Sequence, residues 1–98
     1  MAITMTMWWQ GVTKEQYDVA RKTVNWETDA PKGAIFHVAA FKDGDLYVTD
    51  IWESAEDFAH FQENRLAAGV QKAGIQGQPR VVIADVHAIF SPGYTPKK

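Results

Sequence analysis

Residues 34–54 read AIFHVAAFKDGDLYVTDIWES: an apolar run, a tight turn, a second apolar run and the first turn of a helix. Asp43-Gly44 sits between the two runs. Asp-Gly is a strong hairpin signal, because both central residues of a type I′ turn need φ > 0. A two-residue loop then sets the register. Lys42 faces Asp45, Phe41 faces Leu46, Ala39 faces Val48 and His37 faces Asp50. Counted outward from the turn, His37 and Asp50 form a non-hydrogen-bonded pair. Their Cβ atoms are expected roughly 4.5–5.5 Å apart, within reach of an imidazole–carboxylate contact.

Upstream of the hairpin, Ile3 to Trp8 alternates Ile, Thr, Met, Thr, Met, Trp, a half-polar strand pattern. Gly11 breaks it. Thr13 followed by Gln16 is a capping-box signature for a first helix, with Tyr17, Ala20 and Val24 as its apolar stripe. Residues 25–33, NWETDAPKG, form a loop whose Trp26 is expected to pack down as a lid. Downstream, Ser54 with Asp57 opens a second helix carrying Phe58, Phe61 and Leu66 on one face, and Gly69 and Gly74 mark its weakening and its end. Arg80 to Phe90 reads as a last strand, with Asp85 and His87 on one face of it. Residues 1–92 are expected to be one domain and residues 93–98 a loose tail. The order β-α-β-β-α-β is the ferredoxin-like split βαβ, an α+β fold with both helices on one side of a four-stranded antiparallel sheet. Right-handed crossovers give the strand order 4-1-3-2.

The totals fit one small globular domain. The chain has 98 residues, 46% apolar and 22% charged, and a length that buries about 65% of the unfolded surface. Its net charge of −2 and the lack of any basic run beyond Lys97-Lys98 argue against a nucleic-acid partner. There is no cysteine, which excludes disulfides, thiolate metal sites and a thiol nucleophile. No apolar run approaches the ~18 residues of a membrane span, and the N-terminus lacks the charged and continuous apolar regions of a signal peptide. A cytoplasmic protein is expected. Both sheet faces read as apolar: Ile35, Ala39, Phe41, Leu46, Val48 and Trp52 on one side of the hairpin, Phe36, Val38, Ala40, Tyr47 and Ile51 on the other. Two helices cover only one side, so the open face is expected to close against a second copy in a homodimer.

The segments IFHVAAFKDGDLYVTDIWES, EDFAHFQENRLAAGVQKAG and DVHAIF resemble small proteins of the antibiotic biosynthesis monooxygenase-like family, in the dimeric α+β barrel superfamily. The resemblance spans nearly the whole chain and is most specific at Asp50-Ile51-Trp52-Glu53-Ser54 with Phe58 and Phe61. It implies a homodimer with a ligand pocket between sheet and helices in each protomer. It also implies one of several activities: oxidation of aromatic metabolites without metal or flavin, haem degradation, isomerisation or decarboxylation. Haem-degrading relatives carry a Trp midway along the second helix and a haem-ligating His about ten residues later. Aligned on Trp52, those positions here hold Phe61 and Gln71, so the axial ligand is missing.

The reading that combines residues and resemblance is a cofactor-independent monooxygenase-like enzyme acting on a small planar or aromatic metabolite. His37 is its candidate general base and Asp50 the carboxylate that orients it. Trp52, Tyr47, His87 and Phe61 are pocket candidates. No bound metal and no cofactor is expected, because a phenol that loses its proton becomes an anion electron-rich enough to meet oxygen directly. The plain structural alternative is that His37 and Asp50 satisfy each other inside an apolar sheet. A non-catalytic dimer that binds a small hydrophobic ligand, and an isomerase or decarboxylase using the same pair, are the other functional alternatives. A two-His, one-carboxylate site from His37, His87 and Asp50 or Asp85 would need two protomers, because the strands that carry the histidines lie at opposite sheet edges.

Overall fold

A computed structural model describes residues 1–93. The expected tail therefore lies, from residue 94 onward, outside the described residues. Four strands, β1 (Ile3–Gln10), β2 (Ala34–Lys42), β3 (Asp45–Trp52) and β4 (Arg80–Asp85), form one antiparallel sheet in the order β2-β3-β1-β4. This is the ferredoxin-like arrangement. The helical layer consists of α1 (Lys14–Val24) and a second helix built from α2 (Ala55–Phe61), a π-helical turn (Gln62–Leu66) and α3 (Ala67–Lys72).

The hairpin takes the register its turn dictates. Asp43 and Gly44 both have positive φ, 53° and 81°, and Lys42, Phe41, Ala39 and His37 oppose Asp45, Leu46, Val48 and Asp50. Alternation then decides the core. Ile3, Met5, Met7 and Trp9 of β1 and Leu46, Val48 and Trp52 of β3 are buried together with Val12, Val24, Phe58 and Phe61. Both helices start on side-chain caps. The Thr13 hydroxyl accepts from the Gln16 N–H while the Gln16 side chain accepts from the Thr13 N–H, and the Ser54 hydroxyl accepts from the Asp57 N–H.

Four expectations need correction. Alternation counted past His37 sets Ile35 on one side with Trp52, but a bulge between Ala34 and Phe36 puts Ala34 opposite Trp52 and leaves Ile35 as the extra residue. The last strand ends at Asp85, not Phe90. Its partner β1 begins at Ile3, which pairs with Asp85, and only the Val86 N–H to Ala2 carbonyl bond (2.9 Å) continues the ladder. The second helix is not regular. The Ala67 N–H bonds to the Gln62 carbonyl five residues back, and that wider turn keeps Leu66, five residues after Phe61, beside the core. Gly69 does not weaken this helix; it is buried where α3 crosses α1, and a Cβ there would run into the Val24 side chain.

The open face carries Val38, Tyr47 and Val82 at 45%, 43% and 56% exposure. β1 contributes threonines to the same face; Thr4 and Thr6 donate to the carbonyls of Ala84 and Val82. No helix of the described residues is long and apolar enough to cross a membrane.

Candidate functional site

Because Asp50 lies two residues from both Val48 and Trp52, it shares their helix-facing side, and cross-strand pairing brings His37 to the same side. His37 Nδ1 lies 2.6 Å from Asp50 Oδ1. The other carboxylate oxygen, Oδ2, accepts from the Trp52 indole N–H at 3.0 Å. Asp50 is a buried carboxylate, its side chain 8% exposed, and both its oxygens are held by donors; the His37 side chain keeps 33% exposure. A buried carboxylate fixed on both oxygens is the arrangement that sets the tautomer and angle of an imidazole.

The second ring nitrogen is also engaged. The Tyr17 hydroxyl lies 2.8 Å from His37 Nε2, and the two rings are parallel within 1° at a centroid separation of 6.2 Å. Burial pushes the Tyr17 phenol up to about 12; nearby Arg21 opposes the shift and Glu27 adds to it. The phenol thus keeps its proton at neutral pH. When the ring is neutral with its proton on Nδ1, Nδ1–H donates to the Asp50 carboxylate and Nε2 accepts from the Tyr17 hydroxyl. Trp26 lies edge-on to both rings, 5.9 Å from Tyr17 and 5.3 Å from His37.

These groups stand in the wall of a cavity of about 400 Å³ between sheet and helices, a size typical of small-molecule sites. Its lining is mainly apolar, with Met5, Trp52 and Phe61 at the sheet and helix sides and Trp26 on the loop. That loop is tied down by Arg65, whose Nη2 donates to the carbonyls of Val24 and Asp29 at 2.9 and 2.8 Å while its guanidinium lies 5.5 Å from the Phe61 ring centroid. The π-helical turn carries Arg65 and Leu66, so the irregular stretch of the helix borders the cavity.

The structure brings together His37, Asp50, Trp52 and Phe61 and separates the other two pocket candidates. Tyr47 is three residues from Asp50, an odd step on a strand, so it points to the open face, where it stacks on Trp8 at 6.4 Å and 15°. His87 lies beyond β4 and does not line the cavity. Among the described residues no three His, Asp or Glu side chains are grouped so as to hold a metal ion; the two-protomer metal site is not assembled within this chain. A tyrosine in the apolar stripe of α1 reads as either core packing or a hydrogen-bonding phenol in a cavity, and Tyr17 takes the second role. Its polar tip, the only one in that stripe of Tyr17, Ala20 and Val24, is the signal for the site.

No protein-family model matches the chain, and no curated protein does. Solved structures match over almost its whole length. A putative antibiotic biosynthesis monooxygenase from Caulobacter crescentus superposes with a TM-score of 0.72 over 89% of this chain and 91% of its own, at 14% identity. A variant of SnoaB, a cofactor-independent oxygenase from Streptomyces nogalater, gives 0.68 over 90% and 95%, at 11% identity. This chain has the fold of the antibiotic biosynthesis monooxygenase-like proteins. A protein of unknown function from Nitrosomonas europaea shares that fold too, at a TM-score of 0.67 over 95% of this chain and 96% of its own, with 12% identity. At such identities the likeness lies in the backbone, and the chemistry of this monooxygenase-like fold has to be argued from its own side chains.

Proposed function

We propose that this protein takes a small planar aromatic molecule into the cavity between sheet and helices and removes a proton from it, as the first step of an oxidation that uses no bound metal or cofactor. The observation that carries this reading is the His37–Asp50 pair at the wall of an apolar cavity of about 400 Å³, with Asp50 held on both oxygens. His37 is the proton acceptor and Asp50 its orienting carboxylate. Trp52 and Phe61 supply flat apolar wall against which a ring can lie. Ionising a phenol makes the ring the electron donor to O2. One oxygen atom forms a bond to a ring carbon; the other leaves as water with the hydrogen of that carbon and the hydroxyl hydrogen, and the phenol becomes a quinone. The shared fold of a cofactor-independent oxygenase supports the reading.

The working unit is one ferredoxin-like domain over residues 1–92, paired with a second copy through the open sheet face. The exposed Val38, Tyr47 and Val82 on that face support the pairing. Sedimentation at micromolar concentration is expected to give a dimer, and a monomer removes this part of the reading.

Oxygen uptake with a panel of phenols and hydroquinones tests the function. Uptake is expected in the wild type and lost in His37→Ala, whose fold is retained. The Tyr17 hydroxyl on Nε2 favours a second reading, a non-catalytic binding protein whose imidazole is fully satisfied. Ligand-dependent thermal stabilisation with no oxygen uptake and no product would decide for it. A product formed without oxygen would instead indicate isomerisation or decarboxylation.

A further inference from the structure

Both ring nitrogens of His37 are taken, Nδ1 by Asp50 at 2.6 Å and Nε2 by the Tyr17 hydroxyl at 2.8 Å. A base with no open nitrogen cannot accept a proton from a ligand by direct contact. Either Tyr17 leaves or the proton passes through it. The packing of Tyr17 decides between the two. Its ring is set edge-on between Trp26, 5.9 Å away, and Phe41, 6.1 Å away, and it stands on α1, whose next turns, Ala20 and Val24, are buried. Its hydroxyl, 2.8 Å from Nε2 with the two rings parallel, occupies the Nε2 lone pair. A phenol is also suited to passing a proton on, because one oxygen both donates and accepts.

The geometry points to Tyr17 as the residue that exchanges a proton with the bound molecule, with His37 and Asp50 acting behind it. This deepens the proposed function and rests on it. The ligand it fits is an aromatic molecule with an ionisable hydroxyl, which would hydrogen-bond to the Tyr17 oxygen. As the ligand O–H bond breaks, its proton joins the Tyr17 oxygen. The proton Tyr17 already held moves to His37 Nε2. The products are a ligand anion, a neutral Tyr17 and an imidazolium paired with the Asp50 carboxylate, so total charge is conserved. Tyr17 is neutral before and after, which suits a phenol whose burial keeps it protonated. In this arrangement Tyr17 is the catalytic residue, while His37 takes the proton at one remove and Asp50 positions it.

The test uses 4-nitrophenol, whose anion is yellow, at a pH just below the probe's own ionisation. Binding is followed by tryptophan fluorescence and ionisation by absorbance. The wild type is expected to bind the probe and hold it as the anion. Tyr17→Phe is expected to bind it with affinity within a few fold but to lower the anion-to-phenol ratio of the bound probe at least about tenfold, equivalent to one pKa unit, as His37→Ala also does. If ionisation survives Tyr17→Phe and is lost in His37→Ala, the histidine takes the proton directly and the role of Tyr17 is overturned, while the proposed function stands. If the wild type neither binds nor ionises the probe, the proposed function and the tyrosine's role fall together. Should Tyr17→Phe fold poorly, wild type carrying isotope-labelled histidine and tyrosine decides it by NMR. Relay predicts that the probe converts His37 to the imidazolium while the Tyr17 hydroxyl stays hydrogen-bonded to it. A Tyr17 signal that shifts to that of a released phenol overturns it.

Discussion

The Trp52 indole N–H donates to Asp50 Oδ2 at 3.0 Å, on the oxygen that His37 leaves free. The two residues are neighbours on one face of β3, so the strand itself builds the contact. Trp52 is 3% exposed and packs on Phe58 and Phe61 at 5.6 and 5.4 Å, so the donor cannot swing away. Trp52→Phe is expected to cost about 1–3 kcal/mol from the unpaired buried carboxylate oxygen alone, with a further loss from the smaller ring. Urea unfolding measures it. A variant within about 0.5 kcal/mol of wild type, the range of an ordinary surface change, would show that the bond contributes nothing.

Asp50→Asn keeps the shape of the side chain and removes its charge. An asparagine that turns its amide N–H2 toward His37 Nδ1 moves the ring proton to Nε2, the atom that faces Tyr17. Nε2 then has no lone pair for an incoming proton, and the lone pair on Nδ1 is taken by the amide. Proton transfer to the site is expected to fall about a hundredfold or more, with the change of tautomer visible by histidine NMR. Transfer at the wild-type rate with the tautomer changed would count against His37 as acceptor.

Gly69 sits where α3 packs against α1. A Cβ there meets the Val24 side chain, and Val24 is 7% exposed with little room to move. Alanine gains roughly 0.8–1 kcal/mol over glycine in helix propensity, but overpacking costs about 1–3 kcal/mol. Gly69→Ala is expected to be net destabilising, and Val24→Ala in the same chain to recover part of the loss. Thermal unfolding of the two single variants and the double variant checks the coupling; a stabilised Gly69→Ala would mean that the helices separate freely.

How far the sequence could be read follows from the range over which its rules act. Asp43-Gly44 sets a register by local geometry, so the His37–Asp50 contact could be counted out from the turn. Period-two alternation also puts Tyr47 and Asp50 on opposite faces, so Tyr47 could have been set aside by the same count. Tyr17 is different. Its helical stripe was readable, but the point where α1 lies above β2 depends on how the helix packs, including the fit of Gly69 against Val24. The end of β4 is likewise a matter of its partner. The alternation of residues 80–90 continues past Asp85, but β1 begins at Ile3, opposite Asp85, and the strand pairing stops there. The π-helical turn left a trace in the five-residue step from Phe61 to Leu66, which a regular helix would place off the buried stripe.

Tyr17 also makes a prediction for stability at high pH. Its phenol moves from an ordinary value of 10.0 to about 12 in the folded chain, chiefly through burial. The folded state therefore holds this proton more tightly than the unfolded state. By linkage, the stabilisation is fully present below pH 10, the unfolded value, and is lost as pH rises through about 12, the folded value. The Tyr17 ring is only half-buried, so solvent screening reduces the effect. Between about pH 9 and about pH 11 the urea midpoint is expected to fall more in wild type than in Tyr17→Phe, since the two proteins differ only in this phenol. Equal falls in the two proteins would show that Tyr17 ionises as readily in the folded chain as in the unfolded one. A phenol of ordinary acidity is still protonated at neutral pH, so the donor to His37 Nε2 would stand and only the effect of burial would be lost.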